Sequence, residues 1–231
     1  IFIFFIIFLS FNVNLSADEF DISASEITVD KNKNIVTGIG SVEVVDKDGK
    51  LIKADKVIYE KSKEFITAEG SVEVLDTVGN ILKTNKVTYD KINEIMSTFE
   101  NSELTIKEGY NLKSKNIIYN YKEKILSSND ESVLTDLDGN YVMVSMFQYN
   151  LRKNLFSSLG KIKIIDINKN KYFFKELHVD TNKKEMIGSD VSVVLDQENF
   201  GVKKDNDPRL VANDITISKN RSILSKGVFT I

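Results

Sequence analysis

The chain has a single histidine, His178 in the string Glu-Leu-His-Val, and proton-transfer or nucleophilic chemistry would have to start there. An imidazole needs a nucleophile or a metal to work on, and the usual sequence contexts for either are absent. There is no G-x-S-x-G elbow, no phosphate loop, no paired-histidine motif and no cysteine. His178 reads as an outward strand residue. Two Asp-x-Asp-Gly strings, Asp46 to Gly49 and Asp136 to Gly139, resemble the opening of a calcium loop. Neither continues to the further oxygen ligands and closing glutamate that such a loop requires, and a hairpin turn with glycine in the left-handed region explains both. The acids are frequent but fall in turns and on outward positions, where solvation is the default. The expectation is a protein that is not an enzyme, with no catalytic residue, no metal and no cofactor.

What must position these residues is a repeat. Residues 36–64 laid over 66–94 give 14 identities in 29 positions without a gap, including Gly-Ser-Val-Glu-Val at both 40–44 and 70–74. The period of thirty carries Tyr59 to Tyr89, Tyr119 and Tyr149 through the fading strings KVIY, KVTY, NIIY and MFQY, the last of which also holds Phe147. About six copies fill residues 18–195, and a period of this size marks units that bury apolar surface only against their neighbours.

Turn signals recur about every fifteen residues, as in DKNKN at 30–34, DKDGK at 46–50, EKSKE at 60–64 and DTVGN at 76–80, so each unit is two strands. Val42, Val44, Val72 and Val74 alternate with outward Glu43 and Glu73. In LIKADKVIY the apolar phase runs Ile52, Ala54 and then Val57, Tyr59, a step of three where alternation demands two. The same step recurs as Leu82, Thr84 then Val87, Tyr89, and as Leu112, Ser114 then Ile117, Tyr119. A one-residue slip exchanges the faces of a strand, so a slip repeated at one level predicts a bulge or corner in every unit. The predicted fold is all-β, an antiparallel sheet folded over into a V or open jelly roll with apolar inner walls. Patterning alone leaves two interiors open: a dry core, or a trough in which small Ala54, Thr84 and Ser114 leave room and the four tyrosines form a ladder at the mouth.

Bulk composition agrees with a packed domain. The chain has 231 residues, 42% apolar and 28% charged, with 31 basic and 34 acidic side chains mixed along it, so no basic stripe exists to follow a phosphate backbone. Residues 1–17 read as the hydrophobic core and small-residue end of a secretory signal whose positive start is missing, which points to a fragment and to an exported domain over 18–231. The run is too short for a bilayer span, which needs about 20 apolar residues.

The strings DISASEITVD and G-SVEV-D-G, followed by K-ADKVIY, resemble the OstA-type β-jelly-roll domain of lipopolysaccharide transport proteins. The ending D-PRL…KGVFT at 207–230 is similar to the stretch before the barrel in the outer-membrane lipopolysaccharide-assembly members of that family (LptD), with the barrel itself expected to follow. The resemblance implies a periplasmic module at the cell outer membrane that shelters lipopolysaccharide acyl chains and hands the lipid on. It implies that the inward residues above, Val42 through Tyr149, line a lipid groove. It further implies joining to a periplasmic bridge protein (LptA-like) through the edge strand holding Ile22, Ala24, Ile27, Thr28 and Val29, and to an outer-membrane lipoprotein (LptE-like) through the barrel. The alternatives are a free-standing bridge protein and a secreted β-solenoid or adhesin.

Overall fold

The computed structural model describes residues 20–107, 109–196, 208–218 and 221–230; the expected export signal lies outside the described residues. Apart from one 3-10 turn, Lys61–Lys63, the regular elements among them are strands, joined antiparallel into one sheet. The first strands are β1 (Phe20–Ser23), β2 (Glu26–Asp30), β3 (Ile35–Asp46), β4 (Leu51–Glu60), β5 (Phe65–Leu75), β6 (Ile81–Asp90) and β7 (Ile95–Thr105). In the middle each strand position is split, giving β8 (Asn111–Lys115), β9 (Ile118–Asn120), β10 (Ile125–Ser128), β11 (Ser132–Thr135), β12 (Tyr141–Val144) and β13 (Phe147–Asn150). Long strands then resume as β14 (Leu155–Ile165), β15 (Lys171–Asp180), β16 (Glu185–Val194) and β17 (Arg209–Ser218), and the sheet ends on β18 (Arg221–Ser225) and β19 (Val228–Thr230). Each of the turns predicted at 30–34, 46–50, 60–64 and 76–80 separates two strands.

The sheet folds over at one level. In β4 the buried residues are Ile52 and Ala54, then Val57 and Tyr59, and its pairing to β5 slips between Lys53 and Lys56. β6 repeats this with Leu82, Thr84, Val87 and Tyr89. The odd strands turn the same corner differently. In β3 the buried positions run Val36, Gly38, Val42, Val44, and the step of four is taken by Gly40 at φ +78° and Ser41 at φ +47°. Gly70 and Ser71 do the same in β5. At Gly70 a Cβ would collide with the Asp55 carboxylate of the neighbouring strand. The repeated Gly-Ser-Val-Glu-Val is therefore a corner, in which glycine supplies the left-handed backbone and the two valines return to the core.

The corner divides the sheet into two walls. One carries the segments 35–39, 56–60, 65–69, 86–90 and their successors, and is here called the tyrosine wall. The other, the valine wall, carries 42–46, 51–54, 72–75, 81–84 and their successors. The core lies between them, from Phe20 through Val57, Ile66, Val87 and Met96 to Leu177, Val191 and Ile215.

Candidate functional site

The interior between the walls is where the residues singled out by the repeat converge. Val42, Val44, Ile52, Ala54, Val57, Tyr59, Val72, Val74, Leu82, Val87, Tyr89, Leu112, Ile117 and Phe147 are all buried, with Val57 and Val87 at 0% exposure. Tyr119 and Tyr149 are half-buried. Deep in the tyrosine wall, large and small residues alternate by strand: Gly38 faces Val57, Val57 faces Ala68, Ala68 faces Val87, and Val87 faces Thr98. That alternation lets the valine wall close down. Gly188 illustrates it, since a Cβ there would strike the ring of Phe174 from the opposite wall.

One expectation about this interior is corrected. The tyrosines do not stack on one another: Tyr59 pairs with Ile66, Ile66 with Tyr89, Tyr89 with Met96, and Met96 with Tyr119. A unit holds two strands, so successive tyrosines stand two strand spacings apart, about 9–10 Å, with an aliphatic residue between. The small residues at the corner are buried. Thr84 and Ser114 are buried and bonded, Ser102 Oγ donating to Thr84 Oγ1 at 2.9 Å and the Ser114 and Ser132 hydroxyls meeting at 2.6 Å. No buried side-chain nitrogen or oxygen among the described residues lacks a partner.

The mouth of the V is closed at the N-terminal part of the stack by residues that the sequence reading missed. Phe20, at the start of the valine wall, packs edge-on against Tyr59 and Tyr89 of the other wall, with centroids at 5.0 and 6.2 Å. Lys50 is buried. Its ammonium pairs with Asp46 Oδ2 at 3.0 Å and lies 4.4 and 4.2 Å from the ring centroids of Tyr89 and Tyr121. Outside this set, Lys91 from one wall's turn reaches Asp48 from the other's at 3.2 Å. Burial works against the charge on Lys91, but Asp48, Tyr89 and Asp46 outweigh it and raise the ammonium above its ordinary range. Burial first, and then Tyr89, Tyr119 and the turn acids, push the Tyr121 phenol up. A signal for Lys50 did exist: of the four other equivalent turn positions, one holds Tyr110 and three hold Asn80, Asn140 and Asn170, whose amides donate to Asp76, Asp136 and Asp166 within their own turns. Lysine breaks that rule.

Edge residues are arranged as a sheet end. Ile22 and Ala24 are half-buried, while Ile27 and Val29 pair with inward Gly38 and Val36 and yet are 47% and 54% exposed, because no strand among the described residues covers the end of the interior. Thr28 pairs with outward Thr37. At the far edge Phe229 pairs with Leu210 and is 47% exposed.

The remaining chemistry is local. His178 sits on the outer face of the tyrosine wall, its Nδ1 at 3.0 Å from Ser157 Oγ and its Nε2 at 2.8 Å from Glu176 Oε1. The string looks like a nucleophile relay, but Ser157 and His178 are cross-strand partners in a regular ladder whose amides are committed to pairing, leaving no convergent donors for an oxyanion. In the turn at Asp136, the carboxylate accepts from the amides of Asp138 and Asn140 and from the Asn140 side chain, so the turn itself uses the oxygens that a cation would need.

Fold and interior together define a folded-over antiparallel β-sheet protein with an apolar interior and, among the described residues, two open sheet edges. A family model described as OstA-like protein matches residues 7–138, more than half of the chain, and the chain belongs to that family. Among solved structures, the crystal structure of LptH, the LptA homologous periplasmic component of the conserved lipopolysaccharide transport device from Pseudomonas aeruginosa, matches at 11% identity. That match covers 74% of this chain and 85% of the other, with a TM-score of 0.22. No curated protein matches the chain.

Proposed function

We propose that this protein is a periplasmic lipopolysaccharide-transport module, holding acyl chains between its two walls and passing the lipid along sheets joined edge to edge. The observation that carries the reading is the continuous inward apolar surface that stays exposed where the stack ends, at Ile27 and Val29 on one side and Phe229 on the other. A self-contained core has no use for apolar residues aimed past its own end. Several acyl chains need such shelter, since each methylene left in water costs about 0.8 kcal/mol. The finer assignment is the N-terminal domain of an outer-membrane assembly protein, handing lipid to a following barrel and its lipoprotein partner. The free-standing bridge protein is the alternative within the family, and the sequence following Ile231 in the intact gene product decides between them.

The tight packing at Val57, Val87 and Ile66 favours a second reading, a surface β-solenoid with a dry core. A photo-crosslinking residue at Val57 or Val87 separates the two. Capture of lipopolysaccharide there, and none at outward Glu43 or Glu73, supports transport. Equal capture at both sets, or none at either, rejects it.

A further inference from the structure

The outer face of the valine wall carries a second feature. Its cross-strand neighbours read Glu43, Lys53, Glu73, Lys83, Glu103 and Lys113, strictly alternating in charge. Lys53, Lys83 and Lys113 pair with Glu43, Glu73 and Glu103 at 3.0, 3.5 and 3.6 Å. The ladder then changes character: Lys113 faces Val133, Val133 faces Met143, Met143 faces Lys163, and Lys163 faces Phe173. Acids disappear and an apolar strip takes their place, with Met143 at 42% exposure.

A cavity of about 1140 Å³ lies over this strip. Its lining comes from the valine wall and the corner: outward Val133, Met143 and Phe173, and inward Val144, Ile162 and Phe174 of the same strands, but no inward residue of the tyrosine wall. The inward three are at most 5% exposed, so the cavity opens on the outer face. Ligand pockets commonly hold about 300–1,000 Å³, so this one has room for a whole amphiphile. Five lysines line it, Lys83, Lys113, Lys115, Lys161 and Lys163, against three carboxylates, Glu103, Asp130 and Glu131, a balance of +2 in a chain whose net charge is −3. Lys115, Lys161 and Lys163 make no ion pair among the described residues. Asp130 accepts from the Asn116 side chain at 2.8 Å.

We infer that this outer saddle binds a single phosphate-bearing amphiphile, with its chain on Val133, Met143 and Phe173 and its headgroup among Lys115, Lys161 and Lys163. An apolar floor alone would take any greasy molecule. Uncompensated lysines beside it select an anion, and methionine adapts its shape to an alkyl chain.

The four methionines make the test direct. In protein labelled at the methionine methyls, dodecyl phosphate is titrated below its micelle concentration, beside dodecyl maltoside, dodecyltrimethylammonium and inorganic phosphate. The Met143 resonance should shift saturably with dodecyl phosphate only. Lys163→Glu should weaken that binding about tenfold or more, the size expected when one attractive contact becomes repulsive, while circular dichroism shows the fold unchanged. Lys161→Glu serves as a second variant if the first fails to fold. Equal shifts with the neutral or cationic detergent, a shift with inorganic phosphate alone, indifference to either charge reversal, or no shift of Met143 would overturn the inference. A shift confined to buried Met96 would also overturn it while leaving the interior as the place where chains bind.

Discussion

At the residue scale the most consequential side chain is Lys50, because it is the charge placed where the two walls meet. Burying an ion pair gives little net stability, but removing one partner from it costs about 3–5 kcal/mol, since the other charge is left without compensation. Lys50→Met should therefore lower the denaturation midpoint sharply, and adding Asp46→Asn should recover most of the loss. Equal losses in the single and double variants would mean that packing against Tyr89 and Tyr121, rather than charge, is what matters. The tyrosines provide an independent reading. Burial, followed by Asp166, pushes the Tyr172 phenol up to about 12, and burial also raises Tyr121 and Tyr119. A phenol that holds its proton more tightly when folded stabilises the fold fully below the unfolded value near 10 and loses that contribution as pH rises through the folded value. The phenols' contribution should thus be flat below about pH 10 and fall above it, with a shallower fall in Tyr121→Phe. Denaturant titrations at stepped pH, with tyrosinate absorbance, check this.

At the scale of elements, the corner and the edge can be broken separately. Gly70→Ala puts a Cβ at φ +78° and against Asp55, and should cost about 1–3 kcal/mol; adding Asp55→Ala should return the steric part and leave the backbone part. The edge behaves differently. The amide of Lys61 donates to Asn34, so by antiparallel alternation Val36 and Gly38 turn their amides to β4; Thr28, opposite Thr37, therefore bonds β3, and the amides of Ile27 and Val29 point away from it. Val29→Pro should therefore leave the circular dichroism spectrum unchanged while weakening capture of a purified bridge protein, and undiminished capture would exclude this edge as the docking strand. Much of this was legible in the sequence. The step of three from Ala54 to Val57 shows because a β period of two makes any slip visible, and the glycines at a spacing of thirty mark the turns. The tyrosine ladder misled because a residue repeat counts units, whereas contacts count strands. That Phe20, Lys50, Tyr89 and Tyr121 come together was hidden because it depends on which wall closes over which, and no local pattern encodes that. The outer saddle was hidden for a related reason: alternation separates inward from outward residues but says nothing of where a twisted face becomes concave.

At the scale of the whole molecule, the account rests on two walls that are closed on each other in the structure and must part to admit acyl chains. The N-terminal part of the mouth carries the crossing contacts, Lys50 over two rings and Lys91 on Asp48, so opening there should be what lipid has to drive. The chain has no cysteine, which permits clean paired labelling at Val78 and Ile92, exposed turn residues of the valine wall and the tyrosine wall respectively. The decisive measurement is the spin-label distance between Val78→Cys and Ile92→Cys with and without lipopolysaccharide. The account predicts a single short distance in the free protein and a longer component that grows with lipid and saturates. A distribution that stays unchanged while lipid is demonstrably captured at Val57 would contradict it, because the chains would then be entering an interior that never opens.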